Sequence, residues 1–359
     1  MSRVFNFGAG PAGLPVEVLE EARDQMLDFQ GSGMSIMEHS HRGKEYDAVH
    51  QEAVANVKSL LQLDADHEVL FLQGGASLQF AMLPMNLLGA GQTADYIHTG
   101  AWSGKAVKEA KLIGKVHLAA DVSKASPARI PTPGELVLTP GAAYVHMTTN
   151  ETIDGTEWWD FPRTEAPLVA DMSSDILSRP FDANQFGLIY AGAQKNLGPS
   201  GLCMVVIRKD LAARSPATLS SMLRYATHLE ENSLYNTPPT FGIYILMLVT
   251  RWIKAMGAAN LYRQNREKAA KLYAAIDGSG GFYRGTAAPE CRSNMNVTFR
   301  LPGEALEEQF VKEASKQAMK GLKGHRAVGG IRASIYNAFP LAGIDALAAF
   351  MRDFQRKNG

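Results

Sequence analysis

The chain is short of cysteine. Its 359 residues contain two, Cys203 and Cys291, too few for a disulfide framework or a cysteine zinc site. No metal site is expected, and a reducing cytoplasmic setting is the simple reading. A surplus of one charge is also missing, because 36 Lys and Arg balance 36 Asp and Glu. That balance argues against nucleic-acid and membrane-surface partners, while leaving room for local anion sites. Long apolar runs are absent too. The strongest, Phe241 to Val249, is too short to span a bilayer. The first 15 residues show no basic region followed by an apolar one, so no signal peptide is expected. Repeats and low-complexity segments are lacking. What is present, 46% hydrophobic and 20% charged residues, can build a sizeable core. The length exceeds one typical core, so two domains are expected.

Glycine and proline punctuate Asn6 to Gly13, which reads as an irregular arm over 1–15. A helix is expected from Pro15 to Phe29. From Asp47 onward helical patterns alternate with short apolar runs: a helix to Leu61, a strand from Val69 to Leu72, and a helix from Leu78 to Leu88. Further strand-like runs fall at Ala94–Ile97, Leu136–Leu138, Tyr144–Met147, Leu168–Ala170, Leu188–Ala191 and Leu202–Ile207. Such runs predict a mostly parallel central sheet covered on both faces, an α/β architecture. The last two runs stand too close for a crossover helix, which points to a local antiparallel pair. Helices are expected over Phe241–Met256 and Leu261–Ile276. A strand (Met295–Arg300), a helix (Glu304–Met319), a strand (Ile331–Ser334) and a closing helix (Asp345–Arg356) then suggest a smaller C-terminal α/β domain. The division is 16–258 for the large domain and 259–359 for the small one.

Three features carry chemistry. In Tyr190-Ala191-Gly192-Ala193-Gln194-Lys195-Asn196-Leu197-Gly198, a lysine stands in a small-residue turn between two buried runs. Small neighbours leave space for a planar group, and lysine is the residue that forms Schiff bases with carbonyl compounds. A lysine in such a turn is, taken alone, more often simply solvated. Asp171 ends an apolar run 24 positions earlier (195 minus 171). The carboxyl ends of parallel strands are where α/β sheets place ligands, although an acid after a strand also serves as a helix cap. Gly74-Gly75-Ala76-Ser77 lies between a strand and a helix, where free N–H groups attract phosphate. A lone Gly-Gly turn is weak by itself. Phosphate loop, acid and lysine, in that order and each after a buried run, outweigh the three bland readings together.

These residues resemble the fold-type I pyridoxal-phosphate aminotransferases of class V, and within them the branch that handles phosphoserine. The resemblance spans essentially the whole chain, including Phe5 to Ala12, Ser40 to Glu45, Asn150 to Gly155, Tyr235 to Thr240, Gly324 to Arg326 and Gly329 to Ala338. It implies pyridoxal 5'-phosphate held covalently by Lys195, with Asp171 on the ring nitrogen. Trp102 would lie against the ring and Thr152 would bond its hydroxyl. Ala76, Ser77 and Gln194 would hold the phosphate, joined by Asn236 and Thr237 from the other subunit of a homodimer. Arg332 would grip the substrate's α-carboxylate. His41, Arg42, His325 and Arg326 would gather round its distal phosphate or carboxylate. The implied substrates are phosphoserine, glutamate and 2-oxoglutarate, with 4-phosphooxy-threonine as a further candidate. Some relatives carry arginine where this chain has Ser77, so one phosphate contact is expected to be missing. A cysteine desulfurase of the same architecture needs a thiol on a loop near the small-domain arginine, and 321–332 contains no cysteine. A catalytically silent scaffold would show no yellow colour.

Overall fold

The computed structural model describes residues 3–359. Residues 1 and 2 of the expected arm lie outside the described residues. In chain order the strands are β1 (Phe5–Asn6), β2 (His67–Gln73), β3 (Thr93–His98), β4 (Lys115–Asp121), β5 (Val145–Thr148), β6 (Asn150–Glu151), β7 (Thr156–Glu157), β8 (Leu168–Asp171), β9 (Phe186–Gly192), β10 (Leu202–Arg208), β11 (Arg284–Gly285), β12 (Asn296–Arg300), β13 (Met319–Lys320) and β14 (Ile331–Ser334). The helices are α1 (Val16–Asp24), α2 (Lys44–Leu61), α3 (Gly75–Leu87), α4 (Ala101–Ile113), α5 (Lys209–Ala212), α6 (Tyr225–Glu230), α7 (Thr240–Met256), α8 (Ala258–Asp277), α9 (Glu304–Lys316) and α10 (Leu341–Asn358).

Seven strands form the main sheet in the order β2-β10-β9-β8-β5-β3-β4. All run parallel except β10, which is antiparallel to both neighbours. The tight β9–β10 connection is therefore the antiparallel exception that its spacing predicts. Alternate side chains of each strand enter different cores. Val69, Phe71, Ile189, Ala191, Met204 and Val206 face one layer, where residues of α2 and α7 pack. Leu70, Leu72, Leu188, Tyr190, Val205 and Ile207 face the other, packed against α3 and α4. Burial on both faces explains why these strands read as continuous apolar runs. Each fully buried Val, Leu or Ile contributes roughly 1.5–3 kcal/mol.

A third core gathers the three-stranded sheet β11-β12-β14 with α8, α9 and α10, and it takes in Phe7. No single helix among the described residues is long and apolar enough to cross a membrane. The one apolar pair, α7 and α8, is bent by 90° between them, and α7 is packed into the main core.

Several expected elements need correction. The arm is not wholly irregular, because Phe5–Asn6 pairs in parallel with Met319–Lys320. The expected helix to Met319 stops at Lys316; Ala318 takes a φ of 60° and turns the chain back toward the arm. The first helix ends at Asp24 rather than Phe29. Leu136–Leu138 is no strand, although the Val137 N–H donates to the Ala119 carbonyl at 2.8 Å. Strand β4 gives no apolar-run signal, because Lys115, His117 and Asp121 interrupt it and most of its length is only partly buried.

Candidate active site

Strands β2, β3, β5, β8 and β9 deliver their carboxyl ends to one cavity of about 660 Å³. Its wall holds Ala76, Ser77, Trp102, Thr152, Asp171, Gln194, Lys195, His325 and Arg332 from the expected set. This is the rim where open parallel sheets place ligands.

Lys195 follows β9 by three residues, in the turn that the antiparallel return to β10 requires. Its Nζ donates to Thr152 Oγ1 at 2.6 Å and lies 5.5 Å from the Trp102 ring centroid. Burial lowers the amine from its usual value to about 8, against the upward pull of Asp171 and Glu151. An amine so tuned reaches its free, nucleophilic form near neutral pH. Asp171 closes β8, is buried, and accepts the Ser173 N–H at 2.9 Å. Burial raises its carboxyl, while Ser173 and the Lys195 charge oppose the rise. A cationic partner inside the cavity would complete its pairing.

The phosphate-loop geometry comes from Gly74, the cap of α3, which adopts a φ of 84°. A Cβ there would stand 2.6 Å from Leu78 Cβ, so only glycine allows the helix to start this way. The first backbone N–H groups of α3, those of Gly75, Ala76 and Ser77, have no carbonyl one turn back to bond. Around the same cavity, Trp102 Nε1, Thr148 Oγ1, Gln194 Oε1 and Arg332 Nε are buried without a hydrogen-bond partner. Unsatisfied buried polar atoms are costly unless a ligand completes them. Arg332 sits on β14, opposite Thr298, and burial lowers its guanidinium.

Some expected residues stand elsewhere. Arg326 is exposed and lines a separate groove beside α9 with Glu304 and Glu308. Arg42 is exposed; its Nε donates to its neighbour His41 at 3.4 Å and its backbone N–H to Ser40 Oγ at 3.2 Å. Neither His41, Arg42, Asn236 nor Thr237 lines the cavity of its own chain. The Asn236 amide donates to the Thr237 carbonyl, and its Oδ1 is buried without a partner. Other wall residues went unassigned from sequence: Thr148, Asn150, Ser173, Ser174 and Ser200, together with Ala9 to Pro11 of the arm. The arm is held there by Ala12 N–H donating to the Gln194 carbonyl at 2.8 Å and by Tyr336 Oη donating to the Ala9 carbonyl at 2.8 Å. Asn150 lies in the motif that supplied Thr152, and its neighbour Thr152 was the signal. Both cysteines are buried away from this cavity, and burial raises each thiol.

A family model described as aminotransferase class-V matches residues 4–347. Phosphoserine aminotransferase of Niallia circulans is 56% identical over 359 residues, covering 99% of this chain and 99% of its own. The solved phosphoserine aminotransferase from Bacillus circulans subsp. alkalophilus has a TM-score of 0.98 at 56% identity, covering 99% of both chains. The PLP-bound phosphoserine aminotransferase from Trichomonas vaginalis has a TM-score of 0.94 at 40% identity, covering 98% of this chain and 100% of its own. With its family model matched nearly end to end, the chain belongs to the class-V aminotransferases.

Proposed function

We propose that the protein is a pyridoxal-phosphate-dependent transaminase. It exchanges the amino group of O-phospho-L-serine with 2-oxoglutarate, giving 3-phosphohydroxypyruvate and L-glutamate, a step of serine biosynthesis. The single observation that carries the reading is the buried Lys195 amine, lowered to about 8, facing Asp171, Trp102 and Arg332 in one cavity.

The cavity fits the cofactor. A covalent anchor, a carboxylate for the ring nitrogen, a flat indole and a helix start with free N–H groups face one space. Bound there, pyridoxal phosphate supplies an aldehyde for amines and a ring that accepts the electron pair left when the α-proton departs. Lys195 holds it, and once displaced takes the α-proton from the substrate Cα and returns it. Asp171 keeps the proton on the ring nitrogen. Trp102 would lie against the ring, and Thr152, which accepts from Lys195 Nζ, would bond the ring hydroxyl. Ala76 and Ser77 N–H groups hold the phosphate with Gln194.

Substrate selection rests on anion binders. Arg332 takes the α-carboxylate through its planar fork. His325 reaches the distal anion from the cavity wall, with His41 and Arg42 completing that pocket, while Arg326 stands in the neighbouring groove. Because His41, Arg42, Asn236 and Thr237 stand outside their own chain's cavity, the working unit is a homodimer in which the partner supplies them. The small domain, 259–359, carries His325 and Arg332 toward the large domain, 16–258, and the N-terminal arm packs near the small domain. The same anion set extends to 4-phosphooxy-L-threonine, and the location is cytoplasmic.

Mixing the purified protein with phosphoserine alone tests the function. Loss of the yellow band with an equimolar yield of keto acid is expected. No spectral change, or sulfide release from cysteine, would overturn it.

A further inference from the structure

We propose that Glu151 is a positioning residue that fixes Trp102 over the cofactor by capping α4 from outside. The inference rests on the reading that Trp102 covers the ring. Helix α4 starts at Ala101, so Trp102 is its second residue, and its cap position is Gly100. Glycine has no side chain to satisfy the first-turn N–H groups, which otherwise stay orphaned.

The missing cap arrives from β6. Glu151 Oε2 accepts the Trp102 N–H at 3.0 Å. Its Oε1 accepts the Ser103 N–H at 2.9 Å and the Ser103 hydroxyl at 2.6 Å. Ser103 Oγ in turn accepts the N–H groups of Thr99 and Gly100, each at 2.9 Å. Two side chains thereby satisfy four backbone donors around the residue that presents the indole. Glu151 is fully buried, and every group bonded to it is a donor. An amide in its place would turn N–H against N–H.

The space is built for this contact. A Cβ on Gly100 would collide with Asp154 Oδ2 and stand 2.8 Å from Glu151 Cδ. The next residue along the chain, Thr152, holds Lys195 Nζ at 2.6 Å. One short segment therefore sets both the indole and the amine, and a tilt of α4 would move Trp102 relative to Lys195.

A double-mutant cycle on cofactor binding separates positioning from general stability. Full-length apoprotein is titrated with pyridoxal phosphate in wild type, Glu151→Gln, Trp102→Phe and the double variant, and the visible circular dichroism of the loaded forms is recorded. Glu151→Gln is expected to weaken cofactor binding about tenfold and to diminish the dichroic band, with the double variant no worse than Trp102→Phe alone. Multiplying losses in the double variant, or wild-type affinity and dichroism in Glu151→Gln, would overturn the proposal while leaving the transaminase reading intact. No effect of Trp102→Phe would instead remove the ring-covering reading, and this inference with it. If Glu151→Gln does not fold, Ser103→Ala removes one bond to the same carboxylate and is taken through the same cycle, with the same two outcomes.

Discussion

The two halves of the cavity are built by different means. Lys195, Asp171, Thr152 and Trp102 sit at or just past strand ends or at a helix start; Lys195 bonds Thr152, the Trp102 N–H donates to Glu151, and Asp171 accepts from Ser173 two residues on. Arg332 and His325 come instead from β14 and the loop before it, while His41, Arg42, Asn236 and Thr237 stand outside the cavity. The Lys195 side of the cavity is thus preorganised within one chain, whereas on the proposed reading the anion-binding side is completed by a second subunit. Sites on regular elements hold geometry more tightly than sites on loops. Damage to the first half should therefore abolish the reaction, and damage to the second should change which substrate enters.

The largest expected effect is that of Lys195→Ala, which removes both the anchor and the base. Single-turnover transamination of phosphoserine should fall by a factor on the order of 10⁴ or more, with loss of the visible band. Retained turnover would break the division. Asp171→Ala should still bind some cofactor but slow α-proton removal on the order of 10³-fold, read by loss of solvent exchange at the substrate Cα. On the other side, Arg332→Ala loses charge-assisted bonds of about 1.5–3 kcal/mol, so KM should rise roughly 10–100-fold with the cofactor spectrum unchanged. A rise in KM accompanied by a lost spectrum would show that the halves are not separable.

Mixing an inactive variant with one impaired toward phosphoserine sharpens the comparison. In the proposed homodimer, a Lys195→Ala subunit would lend Arg42 to the intact Lys195 of an Arg42→Ala subunit. Refolding the two together should restore up to about a quarter of wild-type activity, because half the dimers are mixed and each has one complete site. No recovery, with dimers present, would place Arg42 in its own chain's site. The smallest effect is on pH. A lysine lowered to about 8 is mostly free amine above that value, so cofactor capture by apoprotein should rise about tenfold from pH 7 to pH 9 and then level. A rise continuing to pH 10 would mean that burial does not tune the amine.

The same contrast governs how much the sequence revealed. The core strands were legible because β2, β8, β9 and β10 are buried on both faces and read as plain apolar runs. Edge strand β4 was not, since one side of it meets water. The stop of α9 at Lys316 was hidden because Ala318 takes a left-handed conformation that alanine does not advertise. Lys195 and Asp171 were visible through their small neighbours and their place after apolar runs. Glu151 was not, because its partners lie on α4, 48 and 49 residues away, and nothing local marks a glutamate as an external cap. The dispersal of His41, Arg42, Asn236 and Thr237 could not be seen from spacing, which says nothing about which chain fills a cavity.

The central claim is the covalent attachment at Lys195. Borohydride reduction of the cofactor-loaded protein, followed by peptide mapping, tests it most directly. The account predicts one reduced adduct, on the peptide that contains Lys195. An adduct on another lysine, such as Lys105 beside Trp102, or none in fully loaded protein, would contradict it.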